Sequence, residues 1–319
     1  MDVAALMGAI FNTFLIVMIV STMLSAGFST TVDNLVSVLR KYWLVLAVLV
    51  VGFLLRPLLG WATAELFSLD RWAYIALILI ACVPGAPLGV KFVIAAKGAV
   101  TTGAALQVLL AVIGSFTFAP TANFILETTG AAEGLELPVW DILKAVVVLQ
   151  IVPFVVGLLV RYWAEESALE WNKTALKISG PAFLGVFALA ILGSFQMIID
   201  LIGSMALVAG AVFAIGALIL GYVVATGDRN TRKSTGLIQI GSNAGPVFAA
   251  IAIAFDNAPA LLGAATVYVT LQIIVGAVSG GWFAKNWSDD DPASAADGGP
   301  AENGGEGATE SAEAPAASD

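Results

Sequence analysis

The sequence contains no histidine and a single cysteine, Cys82, among 319 residues. Without imidazole, histidine-based proton relays and histidine metal sites are excluded, and one thiol excludes both an intramolecular disulfide and a thiolate cluster. Charge is also scarce: charged residues make up 12% of the chain, against 59% hydrophobic residues and a mean hydropathy of +0.95. So few polar groups could not cover the surface of a soluble domain. No basic residue follows Lys285, whereas nine acids do: Asp289, Asp290, Asp291, Asp297, Glu302, Glu306, Glu310, Glu313 and Asp319. Taking those nine from the 23 acids leaves 14, equal to the 14 basic residues, so the net charge of −9 belongs to the tail alone. The tail, 287–319, is rich in Ala, Gly, Pro, Ser and Glu and reads as a disordered acidic appendage.

What is abundant is apolar sequence in runs near the ~20 residues that cross a bilayer as helix. The reading is an all-α polytopic membrane protein. Nine transmembrane helices are expected near 4–27, 43–67, 73–97, 100–126, 138–161, 179–199, 201–226, 234–255 and 259–283. The first run lacks a basic leader region and is read as a span rather than a cleaved signal. Alternate loops hold ten basic residues, among them Arg40, Lys41, Lys97, Arg161, Arg229, Arg232 and Lys285, while the opposite loops hold only Arg71, or Arg71 and Lys144. That asymmetry places the N-terminus outside and the tail in the cytoplasm, in a multi-pass protein of the cytoplasmic membrane. Trp43, Trp61, Trp72, Trp140, Trp163, Trp171, Trp282 and Trp287 fall near span ends, where interfacial anchors sit.

Two spans are interrupted. The third carries "PGAPLG", with Pro84, Gly85, Pro87 and Gly89, and the eighth carries "GSNAGP", with Gly241, Ser242, Asn243, Gly245 and Pro246. The two lie five spans apart, an odd number, so the segments cross in opposite directions. Paired broken spans in corresponding positions of two halves mark an inverted-repeat secondary transporter. The expected domain, 1–286, then holds repeats at about 4–126 and 179–283, joined by a linking span at about 138–161. Broken helices free backbone amides and carbonyls that lipid cannot satisfy, so such breaks belong where protein or a water-filled cavity can.

At these breaks the sequence resembles the bile acid:sodium symporter family. The matching stretches are "ACVPGAPLGVKFVIAAKGAV" and "GLIQIGSNAGPVFAAIAIA", with "STMLSAGFS" and "RPLLGWATAELF" also fitting, over roughly residues 8–285. The resemblance implies panel and core domains, two broken helices crossing in the core, and alternating access around that crossing. It also implies that the first helix of ten-span members is absent here. The sodium-binding side chains of the family are not retained. Its Ser-Asn pair falls on Gly89 and Val90, its Ser and Thr on Gly103 and Gln107, its Gln on Gly52, its Glu on Gln239 and a further Gln on Asn243.

Two basic residues stand close to those vacated positions, Arg56 and Lys91. A charge at membrane depth costs a few kcal/mol or more and usually faces a pathway. Fixed cations in place of mobile sodium, facing half-helix C-terminal carbonyls or an anionic substrate, are one reading. The other is structural: Arg56 bonded to backbone opened by Pro57, and Lys91 snorkelling to the cytoplasmic interface. The candidate pathway residues are Arg56, Lys91, Gln107, Gln239, Ser242 and Asn243, with Gln272 a further polar group in a span. No phosphate-cradling loop, nucleophile–base pair or HExxH motif is present, so no enzyme, cofactor or resident metal is expected. The expected partners are a small, anionic organic substrate and the lipid bilayer, without nucleic acid. The expected function is sodium-independent transport of that anion. Sodium-coupled symport with altered ligands, a transporter-like sensor or scaffold, and a channel are the alternatives.

Overall fold

A computed structural model describes residues 3–131 and 137–287. The expected tail lies outside the described residues, save Trp287. Among the described residues every regular element is helical, and the one β-type pairing is an isolated antiparallel bridge between Pro84 and Ser242.

The helices in chain order are α1 (Val3–Ser29), α2 (Val32–Leu39), α3 (Tyr42–Leu66), α4 (Arg71–Ala81), α5 (Leu88–Ala95), α6 (Val100–Thr129) and α7 (Val139–Trp163). They continue with α8 (Glu165–Gly193), α9 (Phe195–Leu201), α10 (Met205–Val224), α11 (Arg229–Ile240), α12 (Ala244–Phe255) and α13 (Pro259–Asn286). By length and composition seven of them can cross a membrane: α1, α3, α6, α7, α8, α10 and α13. The stretches expected as third and eighth spans are pairs of shorter helices, α4 with α5 and α11 with α12. No half of either pair exceeds 12 residues.

Some boundaries differ from the sequence expectation for physical reasons. The sixth span, expected from 179, begins at Glu165, because buried Ala168 and Ala175 give a charged segment an inner face. It stops at Gly193, and α9 restarts after buried Ser194. Helix α2 is a short amphipathic segment capped by Thr31, whose side chain accepts from the Asn34 amide.

Both α3 and α7 contain a wide turn ahead of a proline. Residues Val51–Leu55 and Val147–Ile151 are π-helical, and the amides of Arg56 and Val152 return to the carbonyls of Val51 and Val147. Pro57 and Pro153 follow directly. Proline removes an amide and its ring crowds the carbonyl four residues back, and a π turn accommodates the disturbance while turning side chains to a new face. The residues turned inward are Arg56 and Gln150, 0% and 2% exposed.

Helices α1, α7 and α8 pack against one another, while α3–α6 and α10–α13 pack around the two breaks. Within the first group the backbones nearly touch: a Cβ at Gly27 would lie 2.3 Å from the Phe154 carbonyl oxygen. Glycine permits this close approach, the usual way membrane helices gain contact without a hydrophobic driving force. The outer surface carries large exposed apolar side chains such as Leu54, Leu66, Val148, Leu184 and Val278. A bilayer solvates such a surface and water does not. Exposed Trp43, Trp140, Trp163, Trp171 and Trp282 lie near helix ends.

Candidate functional site

The two breaks meet. Beside the Pro84–Ser242 bridge, the Asn243 amide donates to the Val83 carbonyl at 2.9 Å and the Ala86 amide to the Gly241 carbonyl at 3.4 Å. Gly85 makes the first break possible through a φ of +95°, and a Cβ there would lie 2.6 Å from the Ala111 amide nitrogen. Gly241 abuts Ala86, Gly89 lies against Ile238, and Gly245 lies against Ile19 of α1. Pro84 and Pro246 are buried, and Pro87 caps α5 without a side-chain hydrogen bond.

Polar side chains satisfy the backbone that the breaks release. Arg56 donates through Nη1 to the Ala81 carbonyl at 3.1 Å and through Nη2 to Ser242 Oγ. Its guanidinium also lies 5.2 Å from the centroid of the Phe213 ring. Ser242 Oγ donates to the Ile80 carbonyl at 2.7 Å and accepts from Gln272 Nε2 at 3.0 Å, while Gln272 Oε1 accepts from the Ser242 amide at 2.9 Å. Ile80 and Ala81 are the last residues of α4, whose orphan carbonyls carry the negative end of the helix dipole. A buried guanidinium therefore sits where a cation is favoured. Among the described residues no Asp or Glu is buried.

The remaining amides bind neighbouring backbone or one another. Gln107 Nε2 donates to the Gly85 carbonyl at 3.1 Å, and Gln239 Nε2 to the Val48 carbonyl at 3.0 Å, just before the first π turn. Asn243 Nδ2 donates to Gln150 Oε1 at 2.8 Å on the second π turn. Among the described residues, buried Arg56 Nε and Gln239 Oε1 have no hydrogen-bond partner. At Gly52 a side chain would meet Leu110 Cδ2 at 2.8 Å and Pro84 Cγ at 3.3 Å, so close packing fills that position.

Five of the six candidate pathway residues therefore bond at the crossing, or on or just before the π turns that flank it: Arg56, Gln107, Gln239, Ser242 and Asn243. Lys91 lies apart, exposed on α5. Gln150 was absent from the candidates. Its signal was a single amide in "VVLQIVP", three residues before a mid-span proline, in the same kind of setting as Arg56 before Pro57. A small cavity of about 10 Å³, the room of one water, lies between α1, α6 and α7, and Gln107, Ser115 and Gln150 line it.

A family model described as the sodium bile acid symporter family matches residues 15–225. No curated protein matches the chain.

Proposed function

The chain belongs to the sodium bile acid symporter family, and from that membership we propose that it carries a small organic anion across the cytoplasmic membrane without sodium. Members of this family are membrane transporters, not enzymes, and a small-molecule substrate and a lipid bilayer follow from membership. The observation that carries the sodium-independent reading is Arg56. Its guanidinium bonds the C-terminal carbonyl of α4 and the Ser242 hydroxyl, at the centre of the crossing. Sodium needs several oxygens and usually a carboxylate to offset its charge. With the Ala81 carbonyl and Ser242 Oγ given to Arg56, and no buried carboxylate among the described residues, the donor set does not fit sodium.

In this reading Arg56 is a permanent charge that holds the α4 terminus together and makes the crossing electropositive, which favours an anion. The chain crosses nine times, with inverted repeats at about 4–126 and 179–283 linked by 138–161. The N-terminus is outside, and 287–319 is a cytoplasmic tail. Alternating access comes from movement of α1, α7 and α8 against the helices around the crossing. Their mutual packing and the paired breaks support this division. Purified protein in proteoliposomes tests the reading. Uptake of a labelled organic acid is expected to be equal with sodium and with potassium outside. Uptake that collapses on removing sodium overturns it.

A further inference from the structure

The contact between Asn243 and Gln150 joins the two helix groups. Asn243 belongs to the second break and Gln150 to the π turn of α7, and the two residues are 4% and 2% exposed. Asn243 occupies the N-cap position of α12, where an asparagine side chain normally accepts from the first free amides of its own helix. It makes no such bond. Its Nδ2 reaches across to Gln150 Oε1 at 2.8 Å, so the side-chain hydrogen bond it does make among the described residues runs to the other helix group.

Gln150 also lines the small cavity, opposite Gln107 and Ser115 of α6. Those two are already committed: Gln107 Nε2 to the Gly85 carbonyl, and Ser115 Oγ to the Ala111 carbonyl at 2.7 Å. Gln150 Nε2 donates no hydrogen bond among the described residues, so the amide is used on one side only. The rest of the lining, including Met23, Ala26 and Phe154, is apolar. A half-used amide in such a setting is costly unless something meets it.

We propose that Gln150 and Asn243 are the substrate-reading pair: they close on each other in this state, part when the helix groups separate, and then donate to oxygens of the substrate. This rests on the organic-anion reading above and adds the residues that select the substrate. With two amide N–H donors, and a wall whose other polar groups, Gln107 and Ser115, already donate to backbone carbonyls, the pair suits a small organic acid bearing a hydroxyl or second carboxylate besides its charged group. A site built to hydrogen-bond a substrate oxygen strongly rejects the analogue lacking it.

The test has two readouts in a Cys82→Ser background. In the first, Ser115→Cys reports cavity opening through its rate of maleimide labelling, with no ligand present. Gln150→Met, close in size but unable to bond Asn243, is expected to raise that rate several-fold, and Gln150→Leu provides a second variant if the first folds poorly. In the second, two- to six-carbon mono- and dicarboxylates, with and without an α-hydroxyl, are screened by thermal shift. For acids that stabilise the parent protein, Gln150→Met is expected to weaken the apparent affinity at least tenfold and to flatten the preference for hydroxylated acids. Faster labelling with unchanged affinity and preference overturns the proposal, because the pair would then only hold the closed state. Unchanged labelling also overturns it. If no acid stabilises the parent protein, the organic-anion reading fails instead, and labelling alone decides whether the pair closes the cavity.

Discussion

Arg56 and Ser242, 186 positions apart in the chain, are joined by a buried hydrogen bond from Nη2 to Oγ. The same hydroxyl donates to Ile80 and accepts from Gln272, so one small side chain ties α3, α4 and α13 to the second break. Replacing it leaves several buried groups short of a partner, each costing about 1–3 kcal/mol. Ser242→Ala is therefore expected to lower the thermal midpoint of the detergent-purified protein by several degrees and to reduce uptake. A midpoint unchanged within a degree would mean that the hydroxyl is dispensable.

Arg56 itself separates charge from geometry. Lysine keeps the positive charge but not the planar fork that reaches Ala81 and Ser242 together. Arg56→Lys is expected to retain measurable sodium-independent uptake at reduced rate, whereas Arg56→Leu, which loses both, is expected to abolish it. Equal loss in the two variants, each checked for folding by size-exclusion chromatography, would show that the fork matters and the charge does not.

The parts of this arrangement that the sequence revealed were those written in proline and glycine. Pro84, Gly85 and Pro87, and Gly241 with Pro246, cannot sit in an unbroken helix without consequence, so both breaks were legible. The pairing across them was not, because nothing local connects residue 56 with 242 or 150 with 243. The π turns were missed for a related reason: their residues are ordinary helix formers, and only Pro57 and Pro153 hint at the wider turn. Gln150, alone in an apolar run, carried too little pattern to stand out. Lys91 had the opposite character, conspicuous in sequence but exposed on α5, away from the bonded network.

Two glycines with positive φ offer an internal comparison. Gly85 (φ +95°) has the Ala111 backbone 2.6 Å from where a Cβ would sit, whereas Gly130 (φ +67°) has nothing within 4 Å among the described residues. Both alanine variants meet the left-handed backbone cost of about 1–2 kcal/mol. Only Gly85→Ala must also push the first break away from α6. It is expected to lower the thermal midpoint clearly more than Gly130→Ala and to impair uptake, while Gly130→Ala remains active. Similar losses from both would place the constraint in backbone conformation alone.

At the start of α11, Asp228 caps the helix, its carboxylate accepting from the Thr231 amide at 2.7 Å. Partial burial pushes its carboxyl upward, but the hydrogen bonds from Thr231 and the nearby charges of Lys41 and Lys233 outweigh that and hold it below the ordinary range. A carboxylate whose folded value lies below the unfolded value of about 3.9 stabilises fully above that value, and the contribution disappears as pH falls through the folded value. Asparagine keeps the capping oxygen but not the charge. The thermal midpoint of the unaltered protein should therefore exceed that of Asp228→Asn by a constant margin from pH 7 to about pH 5, with the margin closing below about pH 4. A margin that does not shrink as the pH falls below about 4 would show that the advantage lies in cap geometry and not in charge.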